Sequence, residues 1–165
     1  MTAVATATVL SFKVRKMTKI TEVKIRIESS IENLDSAGLV DGEVERSVEE
    51  AEGFYRYSDE GATLTYAIEN EGGRAESEIM CVGGAVTVKR RGAIESELLF
   101  EEGVCHNSLY CVPPYKFDAA VTAKRVRLSL DEMGGRIDLL YNMKIGGAEK
   151  SARMKIWISP FSNQI

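Results

Sequence analysis

A single histidine stands among the 165 residues of this chain, and that scarcity limits its chemistry at once. Structural zinc sites draw on Cys and His donors in close pairs, and acyl-transfer sites need a base held in place by a third group. The chain has three cysteines, three prolines and one tryptophan. An odd number of thiols does not make a disulfide framework, and reduced thiols fit a reducing compartment. No apolar run approaches the roughly 18 residues of a membrane-spanning helix. Neither sign of charge prevails: 21 basic residues face 25 acidic ones, a formal net charge of −4, so the chain has no general attraction for nucleic acid or anionic membranes. In residues 1–16 a mildly apolar run precedes the basic residues, the reverse of a secretory leader, which predicts a cytoplasmic protein. Met17 repeats the start-like context of Met1. Residues 1–165 therefore read as one domain, with residues 1–16 an N-terminal extension or an extra strand.

What the chain has is alternation. Val23-Lys24-Ile25-Arg26-Ile27-Glu28 sets its apolar side chains on one parity and its charged ones on the other. Residues 125–130 repeat the pattern; Ile137, Leu139, Tyr141, Met143 and Ile145 keep one parity, as do Met154, Ile156 and Ile158. Strands with one apolar face belong to antiparallel sheets wetted on one side. The pairs Gly72-Gly73, Gly83-Gly84, Gly134-Gly135 and Gly146-Gly147 fall between such runs and predict hairpin turns. Little in the sequence offers helical cover, and closure removes exposed strand edges. The expected fold is all-β: an antiparallel up-and-down closed β-barrel of about eight to ten strands. Residues 41–53 leave two readings open. Val44, Val48 and Ala51 recur at helical spacing, while the following Phe54-Tyr55-Arg56-Tyr57 is strongly strand-forming. Pro113-Pro114 must lie in a loop or bulge.

Residues 91–158 carry a family resemblance. Arg91-Gly92 is followed by Phe100-Glu101 and Gly103, then His106, Tyr110 and Pro113; later come Leu128, Leu130, Gly134-Gly135-Arg136-Ile137, Leu139 and Tyr141. In this order the segment resembles the YwiB-like family of uncharacterised bacterial proteins, whose barrels are grouped with calycin-type, lipocalin-like folds. Weaker similarity reaches back through Glu52-Gly53-Phe54-Tyr55 and Thr65-Tyr66 towards Val23. The chain departs from the family at Val112-Pro113-Pro114-Tyr115, where Thr-Pro, an aromatic residue and a glycine are expected. The resemblance implies a lipocalin-like barrel in a bacterial cytoplasm and implies no activity.

His106 is the sharpest candidate for chemistry, since a lone imidazole serves as acid, base or ligand near neutral pH. The structural alternative is a histidine bonded to a backbone carbonyl or to Glu101 or Glu102, holding the loop before Pro113. His106, Tyr110 and Tyr141 are the expected ligand-binding residues at the mouth of the barrel. Cys105, His106 and Cys111 make a poor metal set, because adjacent strand residues point to opposite faces. The same geometry defeats a Cys-His nucleophile, and no catalytic constellation, metal or cofactor is expected. Lys89-Arg90-Arg91 and Lys124-Arg125 with Arg127 are basic clusters read as solvated outer faces, not as a nucleic-acid surface, and Tyr55, Tyr57 and Tyr66 as core or barrel lining. Glu43, Glu45, Glu49, Glu50 and Glu52 read as surface. The sequence thus points to a barrel binding a small hydrophobic molecule or lipid. A non-catalytic interaction or assembly module is the alternative, with Trp157, Phe161 and residues 4–14 as surfaces for a homodimer.

Overall fold

The computed structural model of the protein describes residues 19–161. Ten strands follow one another: β1 (Ile20–Leu34), β2 (Glu45–Ser58), β3 (Gly61–Asn70), β4 (Gly73–Val82), β5 (Ala85–Gly92), β6 (Glu95–Phe100), β7 (Cys105–Val112), β8 (Tyr115–Asp131), β9 (Gly134–Ile145) and β10 (Ala148–Pro160). Each pairs antiparallel with the next, and β1 pairs with β10 to close the barrel. This is the up-and-down closed barrel that the alternation predicts. Among the described residues no helix is long and apolar enough to cross a membrane, which says nothing of strands.

Alternation decides what fills the barrel. Val23, Ile25 and Ile27 of β1 are buried while Lys24 and Arg26 face out, and Ile137, Leu139, Ile156 and Ile158 do the same on β9 and β10. Strand β8 is long enough to need a correction along its course. A bulge between Ala123 and Arg125 shifts its parity, so that Ala119, Val121 and Ala123 face inward before it and Val126, Leu128 and Leu130 after it. The carboxylate of Glu102, in the connection from β6 to β7, accepts a hydrogen bond from the Val126 amide beside the bulge at 2.8 Å.

Residues 45–53 form a strand, which resolves the two readings of that segment. Glu45 to Gly53 pair residue for residue with Ile31 to Val23 of β1. Long-range pairing outweighs a weak helical spacing, and Val48, one member of the supposed helical stripe, ends up exposed. Gly83 and Gly84 occupy their expected turn with φ of 60° and 82°, the positive values of a primed two-residue hairpin. Gly134-Gly135 does not occupy one. The turn there is Glu132-Met133, and the glycines open β9, where a Cβ at Gly135 would collide with the Ser129 carbonyl and one at Gly134 with the Ile158 carbonyl. Close backbone approach, not turn geometry, requires them.

One junction in the wall is thin. β6 meets β7 through only Glu95–Cys111 and Ser96–Tyr110, and the next pairing between this stretch of chain and its return is the isolated Glu101–Val104 bridge. Across the gap the Ser108 hydroxyl donates to the Glu97 carbonyl at 2.6 Å.

Candidate functional site

The inward residues of β3 to β7 stack in rows, because cross-strand partners share a face. Ala62, Cys81, Val86 and Phe100 form one row through their registers; Leu64, Ile79, Val88 and Leu98 form the next. Both are apolar and buried. Two residues further along each strand, towards the hairpins at 71–72 and 113–114, the row reads Tyr66, Ser77, Arg90, Ser96 and Tyr110. The interior therefore changes from hydrocarbon to hydroxyl and guanidinium within one step of the pleat. We call this end of the barrel the mouth. At the opposite end Tyr55 is buried and its hydroxyl donates to the Asp131 carbonyl at 2.8 Å, and apolar side chains fill the space between.

Electrostatics tie the opposite wall to this row. Burial pushes the Tyr66 hydroxyl up from the usual tyrosine pKa; Arg90 and the Ser77 hydroxyl pull it down, and Glu49 from the rim pushes it up. Tyr141 on β9 is raised by burial as well, is lowered by Arg90 and raised by Tyr110. Its ring meets that of Phe100 edge-on, with centroids 4.7 Å apart. Arg90 thus acts electrostatically on both Tyr66 and Tyr141, and Tyr110 on Tyr141. Arg90 makes no hydrogen bond or ion pair with any described residue. Ser96, 8% exposed, likewise leaves its Oγ without a partner. Buried polar atoms are nearly always satisfied, so the Ser96 Oγ beside a partly buried guanidinium that has no acceptor among the described residues is an unusual juxtaposition and makes this row the candidate site.

Of the residues expected to bind a ligand, the structure brings Tyr110 and Tyr141 together and sets His106 apart. His106 lies on the same inward parity of β7, opposite Val121, but four residues before Tyr110 and beside the thin β6–β7 junction. Its Nε2 lies 3.0 Å from Glu101 Oε1, the loop-holding pairing that was the structural alternative. An open cleft of about 850 Å³ runs along this junction and touches His106, Ser108, Ser96 and Arg90, so it connects the histidine with the polar row. A second cleft, of about 740 Å³, lies where β2 and β3 diverge and touches Tyr66 and Ser77. Both clefts are lined mainly by outward-facing residues, Lys89 and Arg91 in each, so they run along the outer wall beside the row.

Sequence reasoning missed Arg90 by reading Lys89-Arg90-Arg91 as one outer cluster. Strand geometry splits it: Lys89 faces Glu78 and Glu97, Arg91 faces Glu76, all on the outside, and only Arg90 turns in. The signal was available, since Arg90 continues the parity of Val86 and Val88. The other basic cluster does lie on the outer wall. There Arg127 and Lys155 are the cross-strand neighbours of Asp138, and Arg153 donates to its carboxylate at 3.0 and 3.3 Å while Arg136 donates at 3.3 Å. The Arg153 hydrogen bonds hold the Asp138 carboxyl below the usual carboxylate range, against its burial. Trp157, expected to be exposed, is half-buried with the Arg136 guanidinium 5.4 Å from its ring centroid. Residues 4–14 lie outside the described residues.

Two of the free cysteines, Cys105 and Cys111, flank this region on β7, while Cys81 sits in the apolar core, its thiol pushed up to about 12 by burial. Among the described residues no cluster of His, Cys, Asp and Glu converges as a metal site would require.

Comparison with known proteins agrees with this architecture. The family model described as a domain of unknown function, DUF1934, matches residues 16–158. The chain is similar to an uncharacterised β-barrel protein, YwiB, of Bacillus subtilis, with 25% identity over 130 residues that cover 79% of this chain and 87% of that one. The crystal structure of that B. subtilis protein superposes with a TM-score of 0.76 at 25% identity, covering 90% of this chain and 99% of the other.

Proposed function

This chain belongs to the DUF1934 family of β-barrel proteins, and from that premise we propose that it is a non-catalytic barrel that binds a small molecule at its mouth. One observation carries the reading: the row Tyr66–Ser77–Arg90–Ser96–Tyr110, joined by Tyr141, is polar, sits where the apolar core ends and leaves two of its members without partners. A concave site with a few convergent polar groups above an apolar floor is the usual form of a small-molecule pocket. The packed core beneath limits the occupant to the mouth, so a lipid threaded along the axis is a poor fit. His106 stands apart from this site and holds Glu101 in the β6–β7 connection, at the end of these strands away from the mouth. No metal or cofactor enters this reading. A reducing compartment such as the cytoplasm suits the three free thiols.

A second reading has its own observation. The β7–β8 hairpin exposes Leu109, Val112 and Tyr115 beside the mouth, an apolar tip that suits contact with a second copy of the chain. Native mass spectrometry of gently purified protein separates the two. A monomer that loses a discrete small mass on denaturation supports the binding barrel; a bare dimer supports the assembly module and counts against the first reading.

A further inference from the structure

We propose that the mouth takes a small monocarboxylate with an apolar body, held by Arg90 and the Ser96 hydroxyl. This rests on the binding reading above and names the chemistry of its ligand. Arg90 projects inward from β5 between Ser77 on β4 and Ser96 on β6, its direct cross-strand neighbours. Arg90 is partly buried and has no acceptor among the described residues, so its guanidinium is open to an incoming anion. The side chains around it are neutral hydroxyls, which donate to an anion as readily as they accept. The Ser96 Oγ, more than nine-tenths buried and unbonded, faces the same space. An oxyanion seated here would satisfy both groups at once. A guanidinium fork matches the two oxygens of a carboxylate, and charge-assisted bonds of this kind are the strong ones.

Charge and shape narrow the class. The row offers one guanidinium, and the other cations beside the adjoining cleft, Lys89, Arg91 and Lys116, lie on the outward parity of their strands, so a second negative charge within the row finds no second cation. That favours a monoanion over a phosphate dianion. Beneath the row lie Leu98, Val88 and the Phe100–Tyr141 ring pair, and Ile31, Ile68 and Met143 pack against the core towards the rim. Hydrocarbon on the floor and wall asks for an apolar body attached to the anion.

Calorimetric titration of the full chain at low salt with octanoate, octan-1-ol and octyl phosphate tests this. Octanoate is expected to bind about tenfold or more tightly than octan-1-ol, and Arg90→Gln to bring the ratio of the two affinities close to one. Ser96→Ala should reduce octanoate affinity severalfold, and the Tyr66 and Tyr141 ring signals should shift in NMR spectra on adding octanoate. Should Arg90→Gln fail to fold, the ratio of octanoate to octan-1-ol on the unaltered protein still decides. Equal affinity for acid and alcohol overturns the carboxylate assignment while leaving a mouth-binding barrel standing. Tighter binding of octyl phosphate overturns the monoanion. No binding of any probe overturns the inference as a whole, and a small mass retained in the native spectrum then shows that the binding reading survives it.

Discussion

Strands β8, β9, β10 and β1 run 17, 12, 13 and 15 residues, whereas β5, β6 and β7 run only 8, 6 and 8. The long wall is sewn by continuous ladders: β1 and β10 pair from Val23–Pro160 to Leu34–Glu149. On the short wall β6 and β7 share two residue pairs, and a serine hydroxyl spans part of what the backbone leaves open. The long wall holds Leu139, Ile137, Ile156 and Ile158 inside and a cluster of cations around Asp138 outside. The short wall holds the unpartnered Arg90 and Ser96 and the clefts that reach them. Pairing is thus densest on the long wall, but buried polar atoms without partners occur on both, Ser96 Oγ on the short wall and Arg125 Nε and Asn142 Oδ1 on the long one; what sets the short wall apart is the inward cation Arg90 beside a thin junction.

The sharpest way to break that contrast is to cut a cavity in each wall. Leu139→Ala, at a fully buried position on β9, is expected to cost about 3 kcal/mol, because long paired strands on both sides limit collapse into the void. Leu98→Ala on β6 is expected to cost nearer 2 kcal/mol, since the thin junction beside it can relax. Urea unfolding monitored by Tyr and Trp fluorescence measures both. A larger loss at Leu98 would mean that the short wall is the structural one.

Next in size is the ion cluster on the long wall. Asp138→Asn leaves Arg127, Arg136, Arg153 and Lys155 facing one another without their acid, and should lower stability by about 2 kcal/mol at neutral pH. The pH dependence follows from the sign of the shift. The folded carboxyl titrates below its unfolded value, near 3.9, so its contribution is full above that value and is lost as pH falls through the lower folded pKa. The difference between Asp138→Asn and the unaltered protein should therefore shrink in acid. A difference that stays constant down to pH of about 2 would remove the electrostatic explanation.

At the junction the expected effect is smaller and local. Ser108→Ala removes the hydroxyl that reaches the Glu97 carbonyl and should cost about 1 kcal/mol in global stability. Hydrogen exchange gives the clearer result: amides at 97–100 should exchange faster in the variant while those of β9 are unchanged. Equal acceleration in both places would show that the barrel opens as one unit and that the two walls do not differ in stability.

Most of this contrast was legible in the sequence only on one side. Long alternating runs such as Val23-Lys24-Ile25-Arg26-Ile27 determine their own strand, face and barrel closure, because one buried face leaves a single acceptable register. That Tyr110 and Tyr141 face inward was legible for a related reason: each is a polar-tipped aromatic on the inward parity of its strand. The short wall was harder. Arg90 was hidden by its basic neighbours, since reading composition over Lys89-Arg90-Arg91 discards the alternation that separates them. Residues 45–53 gave no clear period because their inward positions on the rim, Glu45, Ser47 and Glu49, are polar. Gly134-Gly135 looked like a turn, since a backbone's close approach to another strand leaves no trace in local sequence. The thin β6–β7 junction is likewise a property of the closed circle and not of either strand alone.

The smallest expected effect sharpens the comparison most. In ligand-free protein Arg90→Met should change stability by no more than about 0.5 kcal/mol, or raise it, because the guanidinium has no partner to lose and the methionine keeps the stem's apolar contacts. A binding residue that costs stability when its site is empty is the ordinary trade between function and fold. A scaffold residue behaves otherwise: were Arg90 a structural partner of the Tyr66 and Tyr141 hydroxyls, its removal would cost well over 1 kcal/mol, as the loss of a charged hydrogen-bond donor does. Denaturant unfolding of Arg90→Met beside Leu139→Ala therefore asks one question of both walls. A neutral Arg90→Met with a crippled Leu139→Ala shows that the short wall holds its polar row for a ligand; a crippled Arg90→Met makes the row part of the core and removes the distinction on which the binding site depends.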